Sequence, residues 1–332
     1  MSSEQVSTNI ITPNSEDCET IEAGVSGASV KKVYRSSGWV VIKSHQDIGI
    51  DETNGRNLLS PYLKLPEVLE FDDNSIVYPY IPGPNLDQLA TISPDNALGP
   101  IRNTLTAHVA MWNSTCNQEP ATGGYVAKIA KTEKILWEAR LAQNSLTDLA
   151  TNDFIINGVK IGKINQALYV LKSTIESAAQ RGSVLTHGDE GWNNHILAPT
   201  GEVFSIDFGT AGRRIPGEAI AKFIGWFPAV AISALDYNLF IENGQAILTT
   251  ETKLDPSLAS LVKDGVLPEL QGFIDTQGRS SEVAACLMTY FIRELQWLKK
   301  RGREEMEPHL IAMALSCLPA IMNGKLNLSF LE

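Results

Sequence analysis

Two aspartates and one asparagine in the middle of the chain have the residue types that phosphoryl transfer needs. Asn194 follows Asp189 by five positions, and Asp207 follows Asn194 by thirteen. Carboxylate and amide oxygens suit magnesium, which takes few protein ligands and keeps several waters. A loop aspartate can also accept the proton of an attacking hydroxyl. The three residues therefore have the chemistry of a kinase site.

Two short apolar runs must position these side chains. The run Val184–Thr186 leads into the segment that carries Asp189, and the run Val203–Ile206 leads directly to Asp207. Apolar runs of this length predict short strands. We expect a strand, a loop and a β-hairpin to bring two carboxylates and one amide to a shared edge.

The first part of the chain, from about Ile21 to Tyr80, has mostly strand patterns. Turn-forming residues at 36–38 and 72–74 separate the apolar runs. One short helix is predicted from about Glu52 to Ser60, before Pro61. The predicted strand segments are Val30–Tyr34, Trp39–Ile42, Glu67–Phe71 and Ser75–Tyr80.

Beyond the stretch Ile81–Pro84 the pattern becomes helical. Apolar residues from Ile164 to Ala178 and from Val283 to Leu298 recur at steps of three and four, which indicates amphipathic helices. We therefore expect a flexible tail at 1–19, a small β-rich lobe at 20–80 and a large helical lobe at 81–332. A cleft between two such lobes is a favoured small-molecule site.

Composition limits the classes of function. The 332-residue chain has a formal net charge of −11, which argues against nucleic-acid binding because that requires a basic face. Four widely spaced cysteines indicate free thiols rather than disulfides or a cysteine zinc site. With no signal-peptide pattern and no long apolar run, we expect a cytoplasmic protein without a membrane partner, either a monomer or a homodimer.

The central motif resembles a known signature. His187-x-Asp189-x4-Asn194, followed by Ile206-Asp207, is similar to the signature of the aminoglycoside phosphotransferase and choline kinase superfamily, which is related to the protein kinases. The resemblance implies an α+β, bilobal, protein-kinase-like fold. It also implies that Asp189 is the catalytic aspartate, and that Asn194 and Asp207 hold Mg²⁺.

The same resemblance extends to the first lobe. Gly24, Ser26 and Gly27 lie in a small-residue turn that can cover phosphates with backbone N–H groups. Lys43, at the end of an apolar run, resembles the strand lysine that contacts the α- and β-phosphates. Taken singly, each feature is also explained by an ordinary hairpin turn or a solvated lysine.

Two further nucleotide contacts are implied. Glu52 looks like the helix acid that pairs with the strand lysine, with Asp51 and Glu67 as competitors for that role. The run around Pro79 and Ile81 resembles the linker whose backbone groups meet adenine. Pro79 has no N–H to donate, but its carbonyl can accept.

The implied activity is transfer of the ATP γ-phosphate to a hydroxyl of a small molecule, with GTP as an alternative donor. The acceptor classes left open are an aminoglycoside-like antibiotic, an amino sugar, an amino alcohol and a biosynthetic intermediate. A peptide acceptor is disfavoured, because only nine residues separate Asp207 from Pro216. An inactive pseudokinase that serves as a binding module is the alternative. Four acids in the variable segments could meet an amine: Asp87, Glu119, Glu138 and Glu294.

Some positions depart from the superfamily pattern. The family usually has an Asp three residues after the proline that follows the metal loop, and this Asp braces the catalytic loop. Here the acid after Pro216 is Glu218, one position early, so the brace is either substituted or loosened. Trp192 in the catalytic loop lines the acceptor site or packs under the loop. We expect His45, His108, His195 and His309 to be ordinary polar positions.

Overall fold

A computed structural model describes residues 18–21, 28–36, 38–141, 144–231, 233–253 and 255–326. The first of these residues form a five-stranded antiparallel sheet with the order β1-β2-β3-β5-β4. Its strands are β1 (Cys18–Ile21), β2 (Ser29–Arg35), β3 (Gly38–Ser44), β4 (Glu70–Asp72) and β5 (Ser75–Pro79). The sheet matches the strand-rich pattern of the sequence there.

One helix, α1 (Ile48–Leu59), packs against this sheet and begins four residues earlier than the sequence pattern predicts. Two glycines allow its close packing. A Cβ on Gly49 would lie 1.6 Å from the carbonyl oxygen of Asp72, and one on Gly55 would lie 2.0 Å from that of Phe208. The helix therefore touches both the β4–β5 turn and the residue that follows Asp207.

The rest of the chain is mainly helical. Its longest helices are α3 and α9, and α9 is buried over much of its length, where it packs against α4, α5, α6, α10 and α11. The helices are α2 (Leu86–Ile92), α3 (Pro94–Thr115), α4 (Gly124–Glu138), α5 (Ile164–Gln180), α6 (Pro216–Ala231), α7 (Pro256–Ser260), α8 (Leu267–Thr276), α9 (Ser280–Arg301), α10 (Glu307–Ser316) and α11 (Leu318–Asn323). Short 3₁₀ or π turns lie at Trp192–Asn194, Leu261–Val266 and Glu304–Met306.

Two small ladders position the motif residues. β10 (Val184–Thr186) pairs with β13 (Gly212–Arg214), and β11 (His195–Leu197) pairs with β12 (Val203–Ser205). Asp189 follows β10, Asn194 immediately precedes β11, and Asp207 follows β12. The strand, loop and hairpin predicted from the apolar runs are confirmed. So is the fold class: a β-rich first part and a helical second part.

A second, four-stranded sheet lies within the helical part, where the sequence pattern predicts helices. Its order is β14-β15-β8-β9. Both hairpins turn at Asn-Gly, at Asn157-Gly158 and Asn243-Gly244, with positive φ at all four residues. Asn-Gly between apolar runs is a strong hairpin signal, so these turns were readable in the sequence. The remaining strands are β6 (Arg140–Leu141), β7 (Asn144–Ser145), β8 (Asp153–Ile156), β9 (Val159–Gly162), β14 (Ser233–Glu242) and β15 (Gln245–Lys253).

Among the described residues, no helix is long and apolar enough to cross a membrane. The boundary that we place after Tyr80 falls between β5 and α2, and it stays a prediction. The boundary between the tail and the first lobe, at 19–20, stays a prediction as well.

Substitution of Gly55 tests the close contact between α1 and the segment after Asp207. We expect Gly55→Ala to lower the free energy of unfolding by about 1–3 kcal/mol, because the new methyl group overlaps a backbone carbonyl. Urea denaturation measures this change. The matched control is Gly272→Ala on an exposed face of α8, where no atom lies within 4 Å of the new Cβ. It should stabilise by roughly 0.5–1 kcal/mol. Equal stability of Gly55→Ala and the parent would contradict the contact.

Candidate active site

A cleft of about 390 Å³ lies between the five-stranded sheet and the helical part. Its apolar lining comes from Val30 and Val41 on one side and from Ile196 and Ile206 on the other. Its polar lining includes three residues joined by ion pairs, Lys43, Glu52 and Asp207. Six residues singled out in the sequence line it: Lys43, Glu52, Pro79, Ile81, Asn194 and Asp207.

The amine of Lys43 joins the two sides of the cleft. Its Nζ lies 2.5 Å from Glu52 Oε1 and 2.6 Å from Asp207 Oδ1. Burial alone would lower the pKa of Lys43, but Asp207 and Glu52 outweigh it and raise the pKa above its ordinary value. The lysine is therefore a fixed cation at neutral pH.

Glu52 is the acid of α1 that pairs with this lysine, whereas Asp51 and Glu67 are exposed to solvent. Its side chain is 1% exposed. Its second oxygen, Oε2, accepts a hydrogen bond of 2.9 Å from the hydroxyl of Tyr78. Burial and Glu52 raise the pKa of Tyr78, so its hydroxyl remains a donor. No motif or spacing in the sequence singles out Tyr78.

Asp207 adopts a left-handed backbone conformation, with φ of 59°. Few residues other than Gly, Asn and Asp adopt it readily. The conformation turns the chain sharply between β12 and Phe208, whose ring is fully buried. The carboxylate of Asp207 stays on the cleft side, where its side chain is 44% exposed.

Asn194 links the loop aspartate to the cleft. Its Nδ2 donates to the backbone carbonyl of Asp189 at 3.0 Å and to the carboxylate Oδ2 of Asp189 at 3.1 Å. Its Oδ1 accepts from Asn193 Nδ2 at 3.1 Å. Asp189 is exposed between the buried Gly188 and Glu190. The loop therefore presents one carboxylate and holds its orientation through an amide.

The side-chain oxygens of Asn194 and Asp207 are of the kind that fits a magnesium ion. Asn194 contributes an amide oxygen and Asp207 a carboxylate, and both line the same cavity. Within the described ranges, no three His, Cys, Asp or Glu side chains are arranged to hold a metal. Magnesium bound with a nucleotide takes one or two protein ligands, and phosphates and waters complete its coordination.

The remaining predicted site residues divide into two groups. Gly24, Ser26 and Gly27, predicted to cover phosphates, lie outside the described residues. Pro79 and Ile81, predicted to meet adenine, lie in the wall of the cleft beside Tyr80.

Two of the four candidate acceptor acids lie near Asp189. Asp87 Oδ1 accepts a hydrogen bond of 3.1 Å from the indole N–H of Trp226, which packs beside the catalytic loop at Gly191. Glu294 is paired with Arg301 at 2.6 Å. Burial raises the pKa of both acids. Glu119 and Glu138, by contrast, are exposed side chains on the surface.

Tyr290 lies within electrostatic range of the carboxylates of Asp87, Asp189 and Glu294. Burial raises the pKa of Tyr290, and all three acids add to that effect. The protein thus has an acidic region with aromatic residues beside the loop aspartate. Sequence spacing could not reveal it, because Asp87 and Glu294 lie on α2 and α9.

Three histidines, His108, His187 and His195, form a buried cluster behind the loop that carries Asp189. For His108 and His195 this is contrary to our expectation of ordinary polar positions. The ring centroids of His108 and His195 are 5.3 Å apart, and those of His187 and His195 are 5.8 Å apart. His108 Nδ1 bonds the carbonyl of Thr104 at 2.9 Å. None of the described residues offers a hydrogen-bond partner to any of the three Nε2 atoms.

Other expectations near the loop have simpler outcomes. Trp192 is 1% exposed and donates its indole N–H to the carbonyl of Phe223 at 2.9 Å, so it packs under the loop. His309 is also buried, whereas His45 is exposed, as expected. Arg214, which follows the segment after Asp207, pairs with Glu218 at 2.6 Å.

No family model matches the sequence, and no curated protein matches it either. Solved structures match the fold. The aminoglycoside phosphotransferase APH(4)-Ia, as an apo thermostable mutant, gives a TM-score of 0.55 at 16% identity, over 93% of this chain and 94% of that chain. A ternary complex of that enzyme with ADP and hygromycin B gives 0.55 at 15%, over 93% and 94%. Plasmodium vivax ethanolamine kinase gives 0.53 at 12%, over 95% and 86%.

This chain has the aminoglycoside phosphotransferase fold. The match covers nearly the whole chain, well beyond the motif around Asp189. It confirms the bilobal, protein-kinase-like fold that the motif implies. At this level of identity the likeness to the phosphotransferase shows the fold alone.

The histidine cluster predicts acid sensitivity. Burial, with a smaller contribution from His187, lowers the pKa of His108 to about 4 despite the opposing effects of Thr104 and Glu190. The unfolded chain protonates this histidine near pH 6.5, so the native state loses stability as the pH falls from about 6.5 towards 4.

We expect His108→Asn, which keeps a donor for Thr104, to weaken this pH dependence by up to about 1.4 kcal/mol per pH unit. Urea unfolding at pH 7.5 and pH 5 measures the effect. An unchanged difference between the two pH values in the variant would contradict the assignment.

Proposed function

We propose that this protein is an ATP- and magnesium-dependent kinase that transfers the γ-phosphate to a hydroxyl of a small molecule. The observation that supports it most is the convergence of Lys43, Asn194 and Asp207 in one cleft, with Asp189 bonded to Asn194 at its edge. Phosphoryl transfer requires these roles and little covalent chemistry from the protein.

In this proposal the apolar part of the cleft holds the base of the nucleotide. Val30 and Val41 lie on one side of it, Ile196 and Ile206 on the other, and Pro79 and Ile81 are available for backbone contacts. A mostly apolar pocket with a few placed polar groups is the usual form of a small-molecule site. ATP is the expected donor, with GTP as an alternative.

Lys43 and Asp207 act on the phosphates. The amine of Lys43, held by Glu52, contacts the α- and β-phosphate oxygens, while Asp207 and Asn194 hold Mg²⁺. Held there, Mg²⁺ would supply positive charge against the negative charge that develops on the phosphates. Glu52 and Tyr78 bind no substrate and keep the lysine in place.

Asp189 acts on the acceptor. Its exposed carboxylate accepts a hydrogen bond from the attacking hydroxyl and takes the proton as the phosphoryl group transfers. Asn194, bonded to Oδ2 of Asp189, keeps that carboxylate turned towards the cleft.

The acidic and aromatic surroundings of Asp189 favour an acceptor that carries an amine. Asp87 offers negative charge beside Asp189, and the half-buried Trp226 offers a ring face, both of which attract ammonium groups. An amino alcohol, an amino sugar or an aminoglycoside-like antibiotic has both the amine and the hydroxyl, and we propose a cytoplasmic enzyme for one of these classes, acting as a monomer or a homodimer.

Replacement of the proposed base tests this function. We expect Asp189→Asn to lower turnover by about 10²–10⁴-fold, because the acceptor hydroxyl loses its proton acceptor. Affinity for Mg–ATP should change by less than about threefold, since Asp189 is not placed on the nucleotide. ADP release is measured with hydroxylated acceptors, in pairs with and without an amino group.

The matched control is Asp95→Asn, at an acidic surface position in the first turn of α3. It should keep the activity of the parent. Equal turnover by Asp189→Asn and the parent would remove Asp189 from the mechanism. ATP binding without turnover of any acceptor would favour the pseudokinase alternative.

A further inference from the structure

The helix after the metal loop lacks the acid that the superfamily uses to brace the catalytic loop. The position three residues after Pro216 is Ala219, a fully buried alanine. The nearby acid, Glu218, does not replace it directly. Its carboxylate accepts from Arg214 at 2.6 Å and from the backbone N–H of Tyr125 at 2.7 Å.

The catalytic loop instead carries its own acid. Glu190, which is fully buried, accepts a hydrogen bond of 3.0 Å from the backbone N–H of Gly188 through Oε1. Burial would raise the pKa of Glu190, but Lys222, His187 and that N–H outweigh it and lower the pKa below its ordinary value. The carboxylate is therefore ionised, and it satisfies the loop N–H from inside the loop.

A lysine holds the backbone carbonyl of Gly188, the residue whose N–H is bonded to Glu190. Lys222, one turn after Ala219 on α6, donates from its Nζ to the backbone carbonyl of Gly188. The same Nζ lies 3.8 Å from Glu190 Oε2 and 3.4 Å from Glu218 Oε1. Only 13% of the Lys222 side chain is exposed.

These contacts form a charge-balanced group of two acids and two bases, which we call the loop clamp: Glu190, Arg214, Glu218 and Lys222. Arg214 Nη2 also donates to the carbonyl of Thr210 at 2.7 Å. Gly188 packs on that same carbonyl, since a Cβ on it would lie 2.2 Å away. The loop clamp thus joins the catalytic loop to the segment after Asp207.

We propose that Lys222 and Glu190 are positioning residues, which together fix the peptide before Asp189 and so aim its carboxylate at the acceptor. The proposal rests on the kinase function proposed above. Gly188 has φ of 90°, a conformation open to few residues. Its N–H is bonded by Glu190 and its carbonyl by Lys222, so neither end of the residue is free to rotate.

Removal of the Lys222 amine should therefore change the orientation of the Asp189 carboxylate and leave nucleotide binding unchanged. We expect Lys222→Met to lower kcat by about 10- to 100-fold, because a displacement of about 1 Å at the reacting group costs that much. Affinity for Mg–ATP should stay within about twofold, since Lys222 does not line the cleft. Lys222→Arg keeps a cation and a donor, and it should recover most of the lost rate.

A second readout does not depend on turnover. Hydrogen exchange, followed by mass spectrometry, should rise about tenfold in the peptide that spans 187–194 of Lys222→Met, because the loop opens locally more often. Exchange in α9 should not change, which shows that the variant is folded. Glu190→Gln should raise exchange in the same peptide, and the double variant should add little to either single change.

The matched control is Lys128→Met on α4. Lys128 is an exposed side chain. Burial of part of its stem, Arg293, Arg214 and Lys222, in that order, lower the pKa of Lys128, so it lies near Lys222. It makes no hydrogen bond or ion pair to the described loop residues. This variant should match the parent in loop exchange and kcat.

Loop exchange in Lys222→Met equal to that in the parent would overturn the proposal, as would equal loss of protection in the loop and in α9. Failure of Lys222→Arg to restore the loop would also overturn it. A parent protein that releases no ADP with any acceptor would sink the kinase proposal instead, and hydrogen exchange would still decide the role of Lys222.

Discussion

The pairing of one buried lysine with two carboxylates from different parts of the chain is the interaction on which the site depends. Lys43 comes from the sheet, Glu52 from α1 and Asp207 from the segment after β12, and both ion pairs are 2.6 Å or shorter. A buried charge without its partner is costly, so all three elements are held in register. Because Gly55 also packs α1 onto the carbonyl next to Asp207, the cleft has a defined width. Electrostatics thus organises the residues that we propose for nucleotide binding.

The loop that carries Asp189 exposes one carboxylate, although the residues on both sides of Asp189 are buried. Gly188 and Glu190 are buried on either side of the exposed Asp189. The buried polar groups of such a loop need partners, and the loop clamp provides them for the backbone of Gly188. Behind it, burial keeps the pKa values of His108 and His195 low. The support of the loop is therefore neutral histidine on one side and balanced charge on the other.

The sequence predicted the parts of this site that are close together in the chain or tied to a motif. The spacing of Asp189, Asn194 and Asp207 was informative because short strands flank each residue. The second sheet was missed although two Asn-Gly turns indicated it, since the helical periodicity of the surrounding segments received more weight. The histidine cluster and the pairing of Lys222 with the loop could not be predicted, because they join residues from α3, α6 and the loop that meet only in the folded chain.

We propose that the cleft binds a nucleotide through magnesium held by Asp207 and Asn194. A thermal-shift titration with ATP, with and without Mg²⁺, tests it most directly, because a ligand that binds only the native state raises Tm by mass action. We expect a magnesium-dependent rise for the parent, equivalent to about 2.7 kcal/mol at a hundred times the Kd. In Asp207→Ala that rise should be greatly reduced. No rise in the parent up to millimolar ATP or GTP, or an equal rise in Asp207→Ala, would contradict the account.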